Sequence, residues 1–195
     1  VAAGCYVQAA KEAAEADEAI DLIVGNNCKG QILSLVENFV ADRQTAKQED
    51  DGQNATQAAS VNWLDINQNC NYESLSITKV SEHTRAYIKI QDGCNQFCSY
   101  CIIPFARGAE RSLSEEEAIS IAKNLVASGH LEIVLSGIHT GRYGRERNTN
   151  LCHLMKRMIK EVEGLQRIRI SSIEMNEITD ELLAFMKDEP KIARH

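Results

Sequence analysis

The feature that most constrains the fold is a regular alternation of apolar strands and amphipathic helices that begins at Ala86. Strands are predicted at AYIKIQ (86–91), EIVLSGI (132–138), RIRISSIE (167–174) and the opening of KIARH (191–195), with helices at 114–129, 151–163 and 179–189. Repeated units of this kind form parallel sheets with right-handed crossovers. The pattern predicts an α/β fold whose ligand-binding residues follow the carboxyl ends of the strands.

The predicted helices carry matching signals at their ends. Ser114 and Glu117 have the spacing of a capping box, and Gly129 lies just past the end of the same helix. Thr179 is the predicted N-cap of the third helix. Local signals and apolar periodicity therefore agree over this part of the chain.

The preceding 85 residues divide into two parts. Residues 1–45 alternate between strand and helix patterns and resemble the end of a small α/β domain, with a strand end at 1–5, a run of helix formers at 8–17, a strand at 20–25 and a helix at 31–43. Residues 46–85 are mostly polar and predict a linker, within which VNWLDIN (61–67) is a candidate edge strand.

Composition limits the class of protein. The 195 residues carry a formal net charge of −7 and contain no apolar run close to the roughly 20 residues that cross a bilayer. An acidic chain lacks the overall Lys and Arg surplus of a general nucleic-acid binder. Seven cysteines, an odd number with three closely spaced, favour thiolate ligands over disulfides. We therefore predict a cytoplasmic protein without a membrane partner.

Three closely spaced cysteines form the motif that carries most of the chemistry. Cys94, Cys98 and Cys101 have the spacing C-x3-C-x2-C directly after the first predicted strand. A ferredoxin run has a fourth cysteine before its proline, whereas Pro104 follows here without one. Three thiolates leave one iron of a four-iron cluster open, and an open position is typical of catalytic metal sites. A structural zinc site with a fourth ligand such as His83 is the alternative.

The cysteine loop resembles that of the radical S-adenosylmethionine (SAM) superfamily, in which the first barrel strand is followed by this spacing and an aromatic residue, here Tyr100, precedes the third cysteine. The longer segment GCNQFCSYCIIPFARGAERS (93–112) is similar to the signature of the methylthiotransferase branch, GCNxxC(S/T)(Y/F)CxxPxxRGxxRS. The resemblance implies that residues 86–195 form the first half of a radical SAM (β/α) barrel.

The resemblance also implies cofactors and their ligands. The three cysteines of the loop would hold a 4Fe-4S cluster whose open iron chelates SAM, with Tyr100 near the adenine of SAM. Electron transfer from the cluster would cleave SAM to a 5′-deoxyadenosyl radical, which can break an aromatic C–H bond that no acid or base could break near neutral pH. Gly137 follows the second strand and Ser172 and Glu174 end the third, and all three are further candidate SAM contacts. The alternatives are a plain Gly-rich turn at Gly137 and helix-capping or solvated residues at Ser172 and Glu174.

A second cluster is implied at the start of the chain. GCYVQ (4–8) resembles the end of the N-terminal domain of the methylthiotransferases, where three cysteines hold an auxiliary 4Fe-4S cluster that carries the sulfur. Cys5 aligns with the third of these cysteines, and the other two would lie upstream of Val1. We therefore expect a fragment that contains the C-terminal part of that domain (1–45), a linker (46–85) and half of the radical SAM core.

The substrate expectation depends on a short segment after the third cysteine. CIIPFARG (101–108) resembles the class that adds a methylthio group to carbon 2 of N6-threonylcarbamoyladenosine at position 37 of tRNA. Isopentenyladenosine in tRNA and a ribosomal protein are the alternative substrates. The implied partners are tRNA, SAM and an electron donor such as flavodoxin or ferredoxin. The arginines of RYGRER (142–147) are candidate phosphate contacts, with a solvated loop as the alternative.

Overall fold

The computed structural model describes residues 1–49, 59–66, 72–73 and 84–194, which form two compact units. The first unit comprises Val1–Glu73 and Asn95–Ala109, and the second comprises Ser74–Cys94 and Glu110–His195. The cysteine loop is therefore divided, because Gly93 and Cys94 belong to the second unit while Asn95–Ala109 belongs to the first. Among the helices of the described ranges, none combines the length and apolar character needed to cross a bilayer.

The first unit contains a three-stranded parallel sheet. Its strands are β1 (Ala2–Ala3), β2 (Leu22–Val24) and β3 (Ser60–Asn62), with β2 in the centre. Its helices are α1 (Cys5–Ala9), α2 (Lys11–Glu15), α3 (Ile32–Glu49) and α4 (Ile103–Arg107), with a 3-10 helix at Asn26–Gln31. The candidate edge strand is thus confirmed as β3, although most of the predicted linker lies outside the described residues.

Two features of the first unit differ from the sequence pattern. The helix-forming run at 8–17 is interrupted at Ala10, whose φ of −127° and ψ of 53° are not helical, so α1 and α2 are separate short helices. The apolar face of α3 packs against β2 through Leu35, Val36 and Phe39, while Ile32, the first residue of the helix, and Val40, near its middle, are exposed. Helix propensity describes each residue alone and does not detect a break of this kind.

The second unit is built around a four-stranded sheet in the order β5–β4–β6–β7. Strands β4 (Arg85–Asp92), β6 (Glu132–Gly137) and β7 (Arg167–Ile170) are parallel, and the two-residue strand β5 (Arg111–Ser112) pairs antiparallel with β4. The helices are α5 (Glu115–Ala127), α6 (Leu151–Glu161) and α7 (Asp180–Asp188). The predicted alternation of strands and helices is therefore confirmed.

The end signals predicted for these helices are present in the structure. The Glu117 amide donates to Ser114 Oγ at 3.3 Å, so Ser114 is the N-cap of α5, and the Ser114 hydroxyl donates to the Glu117 carboxylate at 2.8 Å. The Leu182 amide donates to Thr179 Oγ1 at 3.2 Å. A parallel bridge between Ile168 and Ile192 marks the fourth predicted strand beside β7.

A cluster of polar side chains links α5 to α6 and makes the stability of the second unit depend on pH. The carboxylate of Glu115 is 11% exposed and accepts from His153 Nδ1 at 2.8 Å, from Arg157 Nη1 at 2.9 Å and from the Thr149 hydroxyl. Burial alone would raise the pKa of Glu115, but these hydrogen bonds lower it from 4.5 to about 2. Folding therefore favours the ionised form of this carboxyl group.

We expect the free energy of unfolding to fall as the pH decreases from about 4.5 to about 2, because the unfolded chain takes up the Glu115 proton first. A shift of this size corresponds to about 3 kcal/mol. Glu115→Gln should remove this part of the pH dependence when denaturant unfolding of the cluster-free protein is measured across the range. Glu116→Gln is the matched control, since Glu116 faces the same Arg157 guanidinium but is 76% exposed. Parallel curves for the wild type and Glu115→Gln would contradict the assignment.

Candidate functional site

The loop that carries the three closely spaced cysteines begins where β4 ends. Cys94 and Cys101 are half-buried, Cys98 is exposed, and all three are free thiols. The Cys101 amide donates to the Cys98 carbonyl at 2.9 Å, and the preceding Phe97 has a left-handed φ of 47°. The chain therefore turns tightly between the second and third cysteines.

In the part of the chain that the structure describes, no three Cys, His, Asp or Glu side chains are grouped closely enough to hold a metal ion. His83, the fourth ligand of the zinc alternative, lies outside the described residues. The donor set itself fits an iron-sulfur cluster, because the thiols are unpaired and thiolates are the usual ligands of such clusters.

Gln91 was missed by the sequence analysis and joins the start of the cysteine loop to the loop after β6. Its fully buried side chain accepts from the His139 amide at 2.7 Å and donates to the carbonyls of Asp92 and Gly93, the latter at 2.8 Å. The register of β4 against β6 shifts between Lys89 and Gln91. In the sequence, this role is marked only by a single glutamine at the end of an apolar strand.

A buried ion pair fixes the residue that precedes this loop. Asp92 Oδ2 accepts from Arg111 Nη2 at 3.0 Å and from Lys89 Nζ at 2.7 Å, while Oδ1 accepts from the Gly93 amide at 3.0 Å. Side-chain exposure is 6% for Arg111 and 7% for Asp92. Arg111 therefore stabilises the start of the loop.

The other predicted SAM contacts lie at the carboxyl ends of their strands. Gly137 ends β6 so close to Gln91 that an added Cβ would lie 3.0 Å from the Gln91 Cβ and 3.1 Å from its carbonyl oxygen. Ser172 and Glu174 follow β7 and are exposed, and the Thr140 hydroxyl donates to the Ser172 carbonyl. Leu135 pairs with Ile170 in the parallel register, so the segments that follow share one edge of the sheet.

The same edge contains a buried pair that the sequence analysis did not identify. Nε2 of His139 lies 3.1 Å from Oε2 of Glu177, and their side chains are 11% and 3% exposed. Burial raises the pKa of the Glu177 carboxyl despite the nearby His139, Arg145 and Arg142. Gly141 permits this approach, because a Cβ at that position would lie 2.4 Å from Glu177 Oε2.

The arginines of RYGRER have different environments. Arg142 Nη2 donates to Glu110 Oε1 at 2.9 Å and its Nε donates to Oε2 of the same carboxylate. The hydrogen bond from Arg142 lowers the pKa of Glu110, and the same bond raises the pKa of Arg142. Arg142 therefore stabilises this loop, while Arg145 and Arg147 are exposed.

The remaining cysteines and histidines are largely structural. Cys28 and Cys152 are buried, and burial raises the pKa of both thiols. His130 is buried, with 4% of its surface exposed, and its amide donates to the Leu125 carbonyl in the turn that follows α5. His153 is exposed, and Cys70 lies outside the described residues.

Two further predicted residues belong to the first unit. Cys5 begins α1 and is half-buried, and its sulfur accepts a hydrogen bond from Arg107 in α4. Tyr100 is 90% exposed, and two other exposed aromatic side chains of the loop, Phe97 and Phe105, pack edge to face with ring centroids 5.9 Å apart. The loop thus presents aromatic surface beside its thiols.

Comparison with curated proteins gives relatives along the whole chain. The chain is 39% identical over 193 residues to "Threonylcarbamoyladenosine tRNA methylthiotransferase MtaB" of Bacillus subtilis (strain 168). This alignment covers 98% of the chain and 40% of the Bacillus subtilis protein. The protein of the same name from Aquifex aeolicus (strain VF5) is 33% identical over 195 residues, and the alignment covers 100% of the chain and 44% of that protein. "Ribosomal protein uS12 methylthiotransferase RimO" of Clostridium novyi (strain NT) is 33% identical over 198 residues, and the alignment covers 100% of the chain and 41% of that protein.

The chain thus spans less than half the length of these relatives. A family model, that of the radical SAM superfamily, matches residues 88–193, which include the cysteine loop, the second half of β4 and the whole of β6 and β7. This family implies a 4Fe-4S cluster and SAM as cofactors. The spacing of the cysteines, their position after the first strand of a parallel sheet and this match agree: the chain belongs to the radical SAM superfamily.

Proposed function

We propose that this chain is part of a radical SAM methylthiotransferase that modifies carbon 2 of N6-threonylcarbamoyladenosine at position 37 of tRNA. The observation that carries the proposal is the 39% identity to a Bacillus subtilis protein of that name over 98% of the chain. The FARG segment (105–108) that follows the third cysteine also resembles this class. The similarity extends through both units, so it includes the region of Cys5 as well as the cysteine loop.

Cys94, Cys98 and Cys101 would hold one 4Fe-4S cluster, with SAM at its open iron, and Cys5 would contribute one ligand to a second cluster. When bound, these groups supply one-electron chemistry that amino-acid side chains lack. Gln91 and the Asp92–Arg111 ion pair fix the backbone that leads to Cys94, which preorganises the first ligand.

The residues around the cysteines support binding of a nucleoside. Tyr100 exposes its aromatic face, which suits stacking on an adenine ring. Gly137, Ser172 and Glu174 lie at the edge of the sheet where parallel α/β folds bind ligands, and we propose that they contact SAM. Arg145 and Arg147 are the exposed cations that we propose for contact with tRNA phosphates, while Arg142 is engaged with Glu110.

Two features of the cellular setting complete the proposal. Cleavage of SAM requires an electron, so we propose a low-potential donor such as flavodoxin or ferredoxin as a partner. We also propose a cytoplasmic location, which is supported by the tRNA substrate named for the relatives.

A ribosomal-protein substrate is the second candidate, because the Clostridium novyi relative named for that activity also covers the whole chain, at 33% identity. Nucleoside analysis of tRNA from a strain that lacks the gene separates the two. We expect loss of 2-methylthio-N6-threonylcarbamoyladenosine, accumulation of its unmodified precursor and restoration by a plasmid copy. Unchanged tRNA nucleosides together with loss of the methylthio group from ribosomal protein uS12 would contradict the tRNA proposal.

A further inference from the structure

The sulfur of Cys5 lies among hydrogen-bond donors within the first unit. Arg107 Nε donates to Cys5 Sγ at 3.3 Å, and Asn26 Nδ2 lies 3.8 Å from the same sulfur. Arg107 is the last residue of α4 and is 102 positions from Cys5 in the chain. The contact therefore reflects tertiary packing of α4 against α1 and not local chain geometry.

Buried polar groups hold one of these donors in place. The backbone N–H of Asn26 donates to Gln8 Oε1 at 2.8 Å, and the side-chain Nδ2 of Asn26 donates to the Ala106 carbonyl in α4. Gln8 Nε2 in turn donates to the Leu64 carbonyl at 3.0 Å. Asn26 and Gln8 are each 4% exposed. Because unpaired buried amides are costly, this network favours one position of α4 beside Cys5.

The end of α4 is fixed by the residue that follows Arg107. Gly108 has a left-handed φ of 71°, and an added Cβ would lie 2.8 Å from Ile66 Cγ1 and 2.9 Å from the Ile66 carbonyl oxygen. A residue with a side chain would therefore be both strained and too close to Ile66. The turn at Gly108 thus ends α4 directly after Arg107.

The chemistry of the donor suits a sulfur that carries negative charge. A guanidinium group combines a permanent positive charge with N–H groups in a fixed plane, so it makes strong directional hydrogen bonds to anions. Hydrogen bonds to ligand sulfur stabilise the reduced form of an iron-sulfur cluster and raise its reduction potential. A thiol with only a packing role gains little from a charged donor.

We propose that Arg107 is a positioning residue that orients Cys5 as a ligand of the second cluster and raises the reduction potential of that cluster. This inference rests on the proposed function, because the second cluster is part of it. Arg107 lies six residues after Cys101, so the segment that follows the third cysteine of one predicted cluster supports a ligand of the other.

The test uses the complete gene product with Cys94, Cys98 and Cys101 all replaced by alanine, reconstituted without air, so that any cluster present is the second one. Its reduction potential is measured by potentiometry with electron paramagnetic resonance detection, alone and combined with Arg107→Gln, Arg107→Lys or Arg43→Gln. Arg43 is the matched control, because it is an arginine of the same unit that pairs with Asp21 at 2.6 Å, away from Cys5.

We expect Arg107→Gln to shift the potential to more negative values, Arg107→Lys to give a smaller shift and Arg43→Gln to give none. A cluster whose potential is the same in all four proteins would overturn the role of Arg107 and leave the proposed function intact. A protein without iron after the three replacements would instead contradict the second cluster itself. If Arg107→Gln assembles no cluster, the Arg107→Lys protein decides, because an unchanged potential there with full iron content also overturns the inference.

Discussion

Replacing Cys98 with alanine should abolish SAM cleavage and remove the radical-generating cluster. Three thiolates are the minimum set that holds a four-iron cluster with one open iron, so the loss of one leaves two ligands and no stable site. Production of 5′-deoxyadenosine by the anaerobically reconstituted complete protein, with dithionite as reductant, is therefore expected to fall to the level measured without enzyme. The iron content should decrease by the equivalent of one cluster.

Cys152→Ala is the control for this substitution. Cys152 is a free cysteine, but it is buried in α6 and lies in a part of the sequence without ligand spacing. The control should retain its iron and its SAM cleavage, although the lost burial costs some stability. Full SAM cleavage by the Cys98→Ala protein would refute the ligand assignment. Wild-type protein that retained zinc and no iron after reconstitution would support the zinc-site alternative.

Replacing Cys5 with alanine should separate radical formation from methylthio transfer. Cys5 lies in the first unit, outside the loop that carries the other three proposed ligands. The variant should still cleave SAM reductively but should form no methylthio product on tRNA, because the proposed sulfur-carrying cluster has lost a ligand. Both products are measured in the same reaction, as 5′-deoxyadenosine and as the modified nucleoside after digestion of the tRNA.

Cys28→Ala provides the comparison within the same unit. Cys28 belongs to the small core formed with Leu22 and Val24, so its replacement perturbs packing without removing a predicted ligand. It should therefore form both products. Wild-type levels of the methylthio nucleoside in the Cys5→Ala protein would exclude Cys5 as a ligand that the reaction requires.

The sequence predicted those elements whose local signals and tertiary roles agree. The strands of the second sheet have apolar runs, and α5 begins at Ser114, whose hydroxyl accepts from the Glu117 amide as the spacing predicted. The helical run at 8–17 was different, because the break at Ala10 leaves no trace in residues that all favour helix. The strand β5 was missed because it is two residues long and exists only through its pairing with Gln91 and Asp92.

In the candidate site, too, the features with a local sequence signal could be predicted and those that depend on tertiary contacts could not. The spacing of three cysteines is a one-dimensional signal, so the loop could be identified from the sequence. The contact between Arg107 and Cys5 joins residues 102 positions apart, and no local pattern encodes it. His139 and Glu177 were separated by a helix and a strand in the chain, so their proximity depends on the parallel register of β6 and β7.

The side chain of Gln91 has a consequence for how the second unit moves. One amide group is bonded both to the backbone just before Cys94 and to the backbone of the loop after β6, so neither segment can open without breaking a bond to the same group. Opening of either segment leaves one buried polar atom of Gln91 without its partner, and this loss adds to the free energy of local opening at both places.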